Sequence, residues 1–538
     1  MGKKKSWLWI CLLFILCLII SACSGEKDQD VDAKEDDTQD ENDITEENNP
    51  TRGGTLSFAF NAQPPTLDPA ATTATATRDI SRNIFEQLVT FDSNMNVQPM
   101  LAESFEVDVE GNKVVFKLRE GIKFHNGEEM TQEDVIASME MWAGKSAQAK
   151  SFLEGITFES GDDNTVVAQL EKTGSIDMFV FADVTQIAAI MPKEIVEAAT
   201  ESGVTEYIGT GPYKLEEWRQ DQHIKLTRFE DYQSRNEPAD GLSGEKNAYV
   251  DEIVFEFVTD PSTRVSGLQA GNYHIGNFIP YDNAEQLEKD TEVENSINQA
   301  SFPGIVFNKK QGLFSNILMR KAVAAALNIE DLMFATYGNE KFFGLNHELM
   351  LKEQTDWYTD AGSDQYNQKD PEKAKKLLEE AGYKGEEIRI LTSREYDDYY
   401  TIAVVTQQQL KEIGMNVTLE VYDWSSVLEK RANPDAYEMF ISGWALRPTP
   451  IQYPFLDSQA EWPGWTASDE MDRLIEEIIN ATNQEEIVAL TAEFQKEFWD
   501  YLPIIKPGNS VEISSYRTEI EGFDYLVGPI LWNVTINE

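Results

Sequence analysis

Strand-like and helix-like patterns follow one another along most of this 538-residue chain. Leu56, Phe58 and Phe60 alternate with small or polar residues, which predicts a strand that faces a core on one side. Thr131, followed three residues later by Asp134, predicts the capped start of a helix. The repeated change from one pattern to the other indicates an α/β fold with mixed sheets.

Further start and stop signals support this fold class. Asp370 followed by Pro371 predicts the start of a helix, and Gly382 predicts its end. Gly209 and Gly211 stand before a proline, and we expect them to provide backbone with positive φ in a turn.

The first 23 residues predict export and lipid attachment. An uncharged run from Trp7 to Ile20 follows three lysines, and it is shorter than the ~20 residues that span a bilayer. Ser21, Ala22 and Cys23 come next, and this end of the run resembles the bacterial lipobox. The resemblance implies a signal peptide over 1–22, cleavage before Cys23 and a diacylglycerol group on its thiol. An uncleaved short anchor is the alternative.

Acidic residues dominate the segment that follows and the chain as a whole. Glu26 to Glu47 contain 12 acids and two lysines, so we expect residues 23–51 to form a disordered tether. The formal net charge of the chain is −50, which excludes nucleic acid as a partner. The three cysteines all lie in the first 23 residues, which leaves no disulfide framework and no cysteine-based metal site in the body.

The sequence contains no recognisable catalytic or metal-binding motif. His347-Glu348 begins a zinc-protease-like motif, but Leu351 stands where its second histidine belongs. Gly144-Lys145-Ser146 ends like a phosphate-binding loop, but Met139 replaces the first glycine of that loop. We therefore expect a protein that is not an enzyme and needs neither a cofactor nor a metal.

An ordered set of short motifs covers almost the whole body. The set resembles family 5 of the bacterial extracellular solute-binding proteins, which includes the oligopeptide- and dipeptide-binding subunits of ABC importers. The motifs are Gly53-Gly54-Thr55-Leu56, Thr66-Leu67-Asp68-Pro69, Leu101-Ala102-Glu103-Ser104, Gly121-Ile122-Lys123-Phe124-His125-Asn126-Gly127, Gly209-Thr210-Gly211-Pro212-Tyr213, Arg320-Lys321-Ala322-Val323, Leu410-Lys411-Glu412-Ile413-Gly414 and Gly443-Trp444.

The resemblance implies a two-lobed fold of the periplasmic-binding-protein type, with an extra subdomain inserted in lobe one. The ligand would be enclosed between the lobes, which close by a hinge motion. Carried onto this chain, lobe one is 52–84, 208–304 and 508–538, the inserted subdomain is 85–207, and lobe two is 305–507.

The same resemblance implies a set of ligand contacts. Gln63 stands where oligopeptide-binding relatives have a cleft glutamate. Trp424 and Arg431 match a cleft tryptophan and arginine, and Gly443 and Trp444 match a glycine and a tryptophan that run along the peptide. Packing in the core is the alternative for each tryptophan, and a surface or structural role is the alternative for Gln63.

Arg447 departs from the family pattern. In oligopeptide-binding relatives an aspartate at this place pairs with the α-ammonium group of the peptide, which a guanidinium would repel. Either Asp457 or Asp423 takes over that role, or the ligand is not held by a free amino terminus. An arginine at the rim without a ligand role is the third alternative.

The resemblance implies that the protein is an extracellular lipoprotein of a Gram-positive-like bacterium. It would act as a monomer, capture oligopeptides and deliver them to the transmembrane subunits of an ABC importer. Two alternatives stay open: the same transport role for an oligosaccharide, an opine-like conjugate or a nickel chelate, and a receptor role for signalling peptides.

Cys23 is expected to carry the lipid in cells that process lipoproteins. Metabolic labelling with a radioactive fatty acid should mark the wild-type protein and a Cys17→Ser control but not Cys23→Ser, because only the Cys23 thiol remains after cleavage. Labelling of the Cys23→Ser variant at the wild-type level would contradict this assignment.

Overall fold

The computed structural model describes residues 52–537, so the predicted signal peptide, Cys23 and the whole predicted tether over 23–51 lie outside the described residues. The strands are β1 (Thr55–Phe60), β2 (Val89–Phe91), β3 (Val97–Pro99), β4 (Ala102–Asp108), β5 (Lys113–Leu118), β6 (Thr157–Ser160), β7 (Thr165–Gln169), β8 (Tyr213–Arg219), β9 (His223–Arg228), β10 (Glu252–Phe257), β11 (Ile275–Gly276), β12 (Val293–Phe307), β13 (Phe343–Gly344), β14 (Glu387–Ser393), β15 (Asn416–Tyr422), β16 (Met439–Ala445), β17 (Ile504–Ile505), β18 (Asn509–Arg517), β19 (Ile520–Glu521), β20 (Asp524–Tyr525), β21 (Pro529–Ile530) and β22 (Thr535–Ile536).

Helices alternate with these strands along the described part of the chain, and none of them is long and apolar enough to cross a membrane. The α-helices are α1 (Thr75–Ser81), α2 (Gln132–Lys145), α3 (Ala147–Phe152), α4 (Asp177–Phe181), α5 (Lys193–Glu197), α6 (Pro261–Gln269), α7 (Tyr281–Leu287), α8 (Ile317–Ala326), α9 (Ile329–Tyr337), α10 (Pro371–Ala381), α11 (Asp397–Glu412), α12 (Trp424–Arg431), α13 (Asp469–Asn480) and α14 (Gln484–Tyr501).

A wide mixed sheet runs through most of the described chain. Its strand order is β15-β14-β16-β12-β18-β11-β1-β10-β9-β8, with β13 beside β18 and β17 beside β12. The β1 strand runs parallel to β10 and β11, whereas β12 runs antiparallel to β16 and β18. A separate four-stranded antiparallel sheet, in the order β4-β5-β7-β6, lies within segment 85–207.

The two central strands β12 and β18 join the halves of the wide sheet. The first part of β12 pairs with β18, and its last part, Ser301–Phe307, pairs with β16. The 15 residues of β12 extend for roughly 50 Å at about 3.3 Å per residue. The chain crosses from one half to the other along β12 and returns along β18.

The buried apolar residues form two separate clusters. One contains Leu56 and Phe255, and the other contains Ile305 together with apolar residues of segment 85–207. The rings of Phe179 in α4 and Trp357 lie 5.6 Å apart and are one contact between that segment and the second half of the chain. The predicted boundaries of the lobes and of the inserted subdomain stay a prediction.

The local helix signals are confirmed. The Asp134 N–H donates to the Thr131 side chain at 3.3 Å, and the Thr131 N–H donates to the Asp134 carboxylate at 2.9 Å, at the start of α2. Asp370 caps α10, which ends at Gly382 with φ of +76°. These signals need only neighbouring residues, which is why the sequence shows them directly.

One local prediction is wrong. Gly209 and Gly211 do not have positive φ. An added Cβ at Gly209 would lie 2.2 Å from the Ile84 carbonyl oxygen, so the glycine permits close packing of two backbones. The predicted alternation in β1 is confirmed, since Leu56, Phe58 and Phe60 are buried whereas Thr55 is exposed and Ser57 is partly exposed.

Candidate functional site

The β16 strand has a partner along only part of one edge. It pairs with β12 along its whole length. On the other side, β14 pairs with it only at Met439 and Phe440. Among residues 52–537, no strand pairs with that side of β16 from Ile441 to Ala445. We call this stretch the open edge.

Gly443 and Ala445 direct their backbone polar groups toward the open edge. Opposite residues of an antiparallel pair alternate between positions that exchange hydrogen bonds and positions that do not. The Leu446 N–H donates to the Ala300 carbonyl at 3.1 Å, so the even-numbered residues of β16 bond to β12. Pro303, which has no N–H, lies opposite Gly443. The N–H and C=O groups of Gly443 and Ala445 therefore point away from β12.

Aromatic rings from α11 and α12 lie beside Gly443 on one face of β16. The Tyr396 and Tyr399 rings stack 4.9 Å apart, and the Trp424 ring lies 5.0 Å and 5.5 Å from them. A Cβ at Gly443 would lie 2.5 Å from the Tyr399 hydroxyl oxygen. The absence of a side chain at Gly443 thus makes room for Tyr399.

Trp444 belongs to a second aromatic cluster on the opposite face. Its ring lies 4.5 Å from Phe455, 5.5 Å from Trp462 and 5.6 Å from Phe302. The Arg431 guanidinium lies 5.3 Å from the centre of the Trp462 ring, which is a cation–π distance. Burial lowers the pKa of Arg431. The open edge is therefore flanked by rings on both faces and by one arginine.

Buried carboxyl groups add to the electrostatics of this region. Burial raises the pKa of Asp398, beside Tyr399, to about 6, and burial raises the pKa of Glu512 in β18 to about 7. The Tyr281 hydroxyl donates to the Val511 carbonyl at 3.1 Å, and its pKa is raised by burial first and then by the charges of Asp398 and Glu512. The Asp398 and Glu512 carboxyl groups therefore both act on the buried Tyr281 hydroxyl.

The structure brings four of the predicted ligand contacts together at the open edge. Gly443 and Trp444 lie on β16, Trp424 lies in the first cluster, and Arg431 lies in the second. The Gln63 side chain is engaged elsewhere, because its Oε1 accepts the Asp221 N–H at 2.6 Å in the turn between β8 and β9. The ligand role of all five residues stays a prediction.

Sequence reasoning missed Tyr396, Tyr399, Trp462 and Asp398. Tyr396 precedes α11 with an extended backbone and Tyr399 lies in the first turn of that helix, so helical spacing does not indicate the pair. Asp398 and Trp462 carry no local pattern that sets them apart.

Arg447 lies two residues beyond the end of β16. Its N–H donates to the Tyr453 hydroxyl at 3.0 Å, and its Nη1 donates to Thr185 Oγ1 at 3.2 Å. It lines a cavity of about 810 Å³ together with Asp457. Asp423 instead caps α12, where its carboxylate accepts the Ser426 N–H at 3.0 Å. Of the two acids expected near Arg447, the structure places Asp457 in the same cavity.

A family model for bacterial extracellular solute-binding proteins, family 5 Middle, matches residues 96–463, which is more than half of the chain. The chain belongs to this family. The probable peptide ABC transporter periplasmic-binding protein y4tO of Sinorhizobium fredii is 28% identical to this family-5 protein over 87% of this chain and 91% of its own length. The oligopeptide-binding protein AppA of Bacillus subtilis is 26% identical over 99% and 98% of the two chains.

Solved structures agree with the fold of this family-5 protein. AppA of Bacillus subtilis, in complex with a nonapeptide, matches with a TM-score of 0.71 and 23% identity over 89% of this chain and 97% of its own. A dipeptide-binding protein of Pseudoalteromonas sp. SM9913, in complex with Met-Leu, matches with a TM-score of 0.75 and 21% identity over 90% and 100%. The family resemblance and the two-lobed α/β fold with mixed sheets are confirmed. The family is one of extracellular solute-binding proteins.

Substitution of Gly443 by alanine should lower the free energy of unfolding by about 1–3 kcal/mol, because the new Cβ would overlap the Tyr399 hydroxyl. The loss should be smaller in a Tyr399→Phe background, and urea unfolding of the four proteins measures this coupling. Gly144→Ala is the control, because no atom lies within 4 Å of its added Cβ. An equal loss of unfolding free energy in both backgrounds would show that the Tyr399 hydroxyl is not what excludes a side chain at position 443.

Proposed function

We propose that this protein captures oligopeptides outside the cell and delivers them to the permease of an ABC importer. The open edge of β16 carries the proposal. An extended peptide can add to such an edge as a further strand and exchange main-chain hydrogen bonds with it. The free N–H and C=O groups of Gly443 and Ala445 are the groups that such a strand requires.

The two aromatic clusters suit the side chains of a bound peptide. Successive side chains of an extended strand point to opposite faces. One set would lie toward Tyr399 and Trp424, and the other toward Trp444 and Trp462. Recognition through the main chain gives affinity that depends little on peptide sequence, while the rings accept side chains of different shape.

The packing of the tryptophans favours peptides over the alternative solutes. An oligosaccharide would need an exposed ring face on which to stack, but the Trp444 ring contacts Phe302, Phe455 and Trp462. The names of y4tO and AppA, two relatives of this chain, also refer to peptides. AgaA in complex with agropinic acid and NikZ of Campylobacter jejuni in complex with Ni(L-His) are similar solved structures, but at 24% and 18% identity they show the fold alone. Signalling peptides would use the same open edge.

The remaining parts of the proposal concern the cell. The two lobes, with the boundaries predicted from the sequence, would close on the peptide by a hinge motion about β12 and β18. The peptide would favour closure because it contacts both lobes only in the closed form. Cys23 would anchor the protein in the outer face of the membrane of a Gram-positive-like cell, and the acidic tether would hold the body away from anionic lipid. We propose that the protein acts as a monomer and performs no catalysis.

Loss of one backbone donor at the open edge should weaken peptide binding. Ala445→Pro removes an N–H that β12 does not use, so the fold should tolerate it as edge strands tolerate proline. Calorimetry with a peptide identified by mass spectrometry after capture from a random mixture should show at least a tenfold higher Kd. Ala445→Ser keeps the N–H and should bind like wild type. Capture of sugars or chelates in place of peptides, or unchanged binding by Ala445→Pro, would overturn the proposal.

Arg447 should disfavour a free amine at the end of β16. For a tripeptide the N-acetylated form should bind at least tenfold more tightly than the free-amine form, because a guanidinium repels an ammonium group and donates to a carbonyl. Arg447→Ala should reduce this preference in calorimetry. Arg473→Ala should leave it unchanged, because Arg473 lines the same cavity but pairs with Glu470 at 2.7 Å. A preference for the free-amine form that Arg447→Ala leaves intact would contradict the assignment.

A further inference from the structure

A loop of segment 85–207 covers the end of a helix in the second half of the chain. Residues 172–175, which we call the cap loop, lie between β7 and α4, whereas α13 lies between β12 and β18. The Ser175 N–H donates to the Ile479 carbonyl at 2.9 Å, and the Ser175 hydroxyl donates to the Ile478 carbonyl at 2.5 Å. The last carbonyls of a helix have no following turn that could donate to them, so the cap loop supplies donors from a distant part of the chain.

Charge and shape fit together at this contact. Lys172 Nζ donates to the Asn480 side chain, which places a cation at the negative end of the α13 dipole. A Cβ at Gly174 would lie 2.6 Å from the Ile479 carbonyl oxygen. Gly174 does not have positive φ, so its missing side chain serves the close approach of the two backbones rather than an unusual backbone conformation.

The cap loop is held in shape by its own segment. The Gly174 N–H donates to the carboxylate of the buried Asp177 at 2.7 Å. The Thr173 N–H donates to the Asn112 side chain at 3.2 Å, in the turn between β4 and β5. Neither bond involves α13, so the cap loop can keep this shape when it is away from the helix.

Segment 85–207 is also fixed to the first half of the chain. The His125 N–H donates to the Gly209 carbonyl at 2.9 Å, and Arg119 Nη2 donates to the Ser234 carbonyl at 2.9 Å. The cap loop therefore connects a segment that is fixed to the first half with a helix of the second half. Each bond at the end of α13 joins two groups of the protein itself, so it can form whether or not a solute is bound.

We infer that the cap loop is a latch between the two halves of the chain. Docked on α13, it holds the halves together in the ligand-free protein, and its release is a step in the opening that admits or frees a solute. Gln452 Nε2, which donates to Gln148 Oε1 at 2.8 Å, adds a further direct bond between segment 85–207 and the second half. The inference depends on the two-lobed fold and not on the proposed peptide capture.

Amide hydrogen exchange of the ligand-free protein tests the latch, with single residues resolved by mass spectrometry and electron-transfer fragmentation. The protein is first unfolded in guanidinium chloride, dialysed and refolded, which removes any solute carried through purification. The Ser175 amide reports on the latch, because its acceptor belongs to α13. The Thr173 and Gly174 amides are internal controls, because their acceptors belong to segment 85–207.

Gly174→Ala adds only the Cβ that would meet the Ile479 carbonyl oxygen, and Gly144→Ala is the matched control, because no atom lies within 4 Å of its added Cβ. After correction for intrinsic rates, the Ser175 amide should exchange at least about tenfold faster in Gly174→Ala than in wild type or Gly144→Ala, because the latch is then open. Exchange at positions 173 and 174 should change by less than about twofold, which shows that segment 85–207 remains folded.

A second variant weakens the latch from the helix side and leaves the cap loop unaltered. Asn480→Ala removes the acceptor of Lys172 and should also accelerate exchange of the Ser175 amide. A Ser175 amide that exchanges as fast in ligand-free wild type as in Gly174→Ala would overturn the latch. Equal acceleration at positions 173, 174 and 175 in both variants would overturn it as well, because the cap loop would then depend on α13 for its shape.

Discussion

The pairing of β12 with two different partners organises this molecule. Its first part is bound to β18 and its last part to β16, so one continuous strand belongs to both halves of the wide sheet. The same pairing decides which backbone groups of β16 are used. Because Leu446 and the other even-numbered residues bond to β12, the groups of Gly443 and Ala445 have no partner in that strand. The open edge of the candidate site therefore arises from the same strand pairing that joins the halves of the sheet.

Glycines on β12 and β16 set the shape of the two aromatic clusters. Gly443 leaves space for Tyr399 on one face. On the other face, a Cβ at Gly304 would lie 2.6 Å from the Trp444 ring, so the ring can approach β12 this closely only because that residue is glycine. Both rings consequently approach the backbone more closely than a side chain at either position would permit.

Local features of the fold could be predicted from the sequence, and features that depend on distant residues could not. The caps at Thr131 and Asp370 depend on hydrogen bonds within three residues, and both were correct. The role of Gly209 depends on the Ile84 carbonyl, which is far away in sequence, and the prediction of positive φ was wrong. Within the candidate site, family motifs pointed to Trp424 and Trp444. Tyr399 became visible only when its contact with Gly443 was known.

The alternation of side chains along β16 has a consequence for how accurately that strand is positioned. A strand that slips by one residue turns every side chain to the other face of the sheet. Such a slip of β16 would move Trp444 to the face that Tyr399 occupies, and a residue with a side chain would replace Gly443 beside Tyr399. It would also turn the N–H and C=O groups of Gly443 and Ala445 toward β12. The adjacent glycine and tryptophan therefore penalise the nearest mispairing and keep the same pair of residues, Gly443 and Ala445, facing outward each time the chain folds.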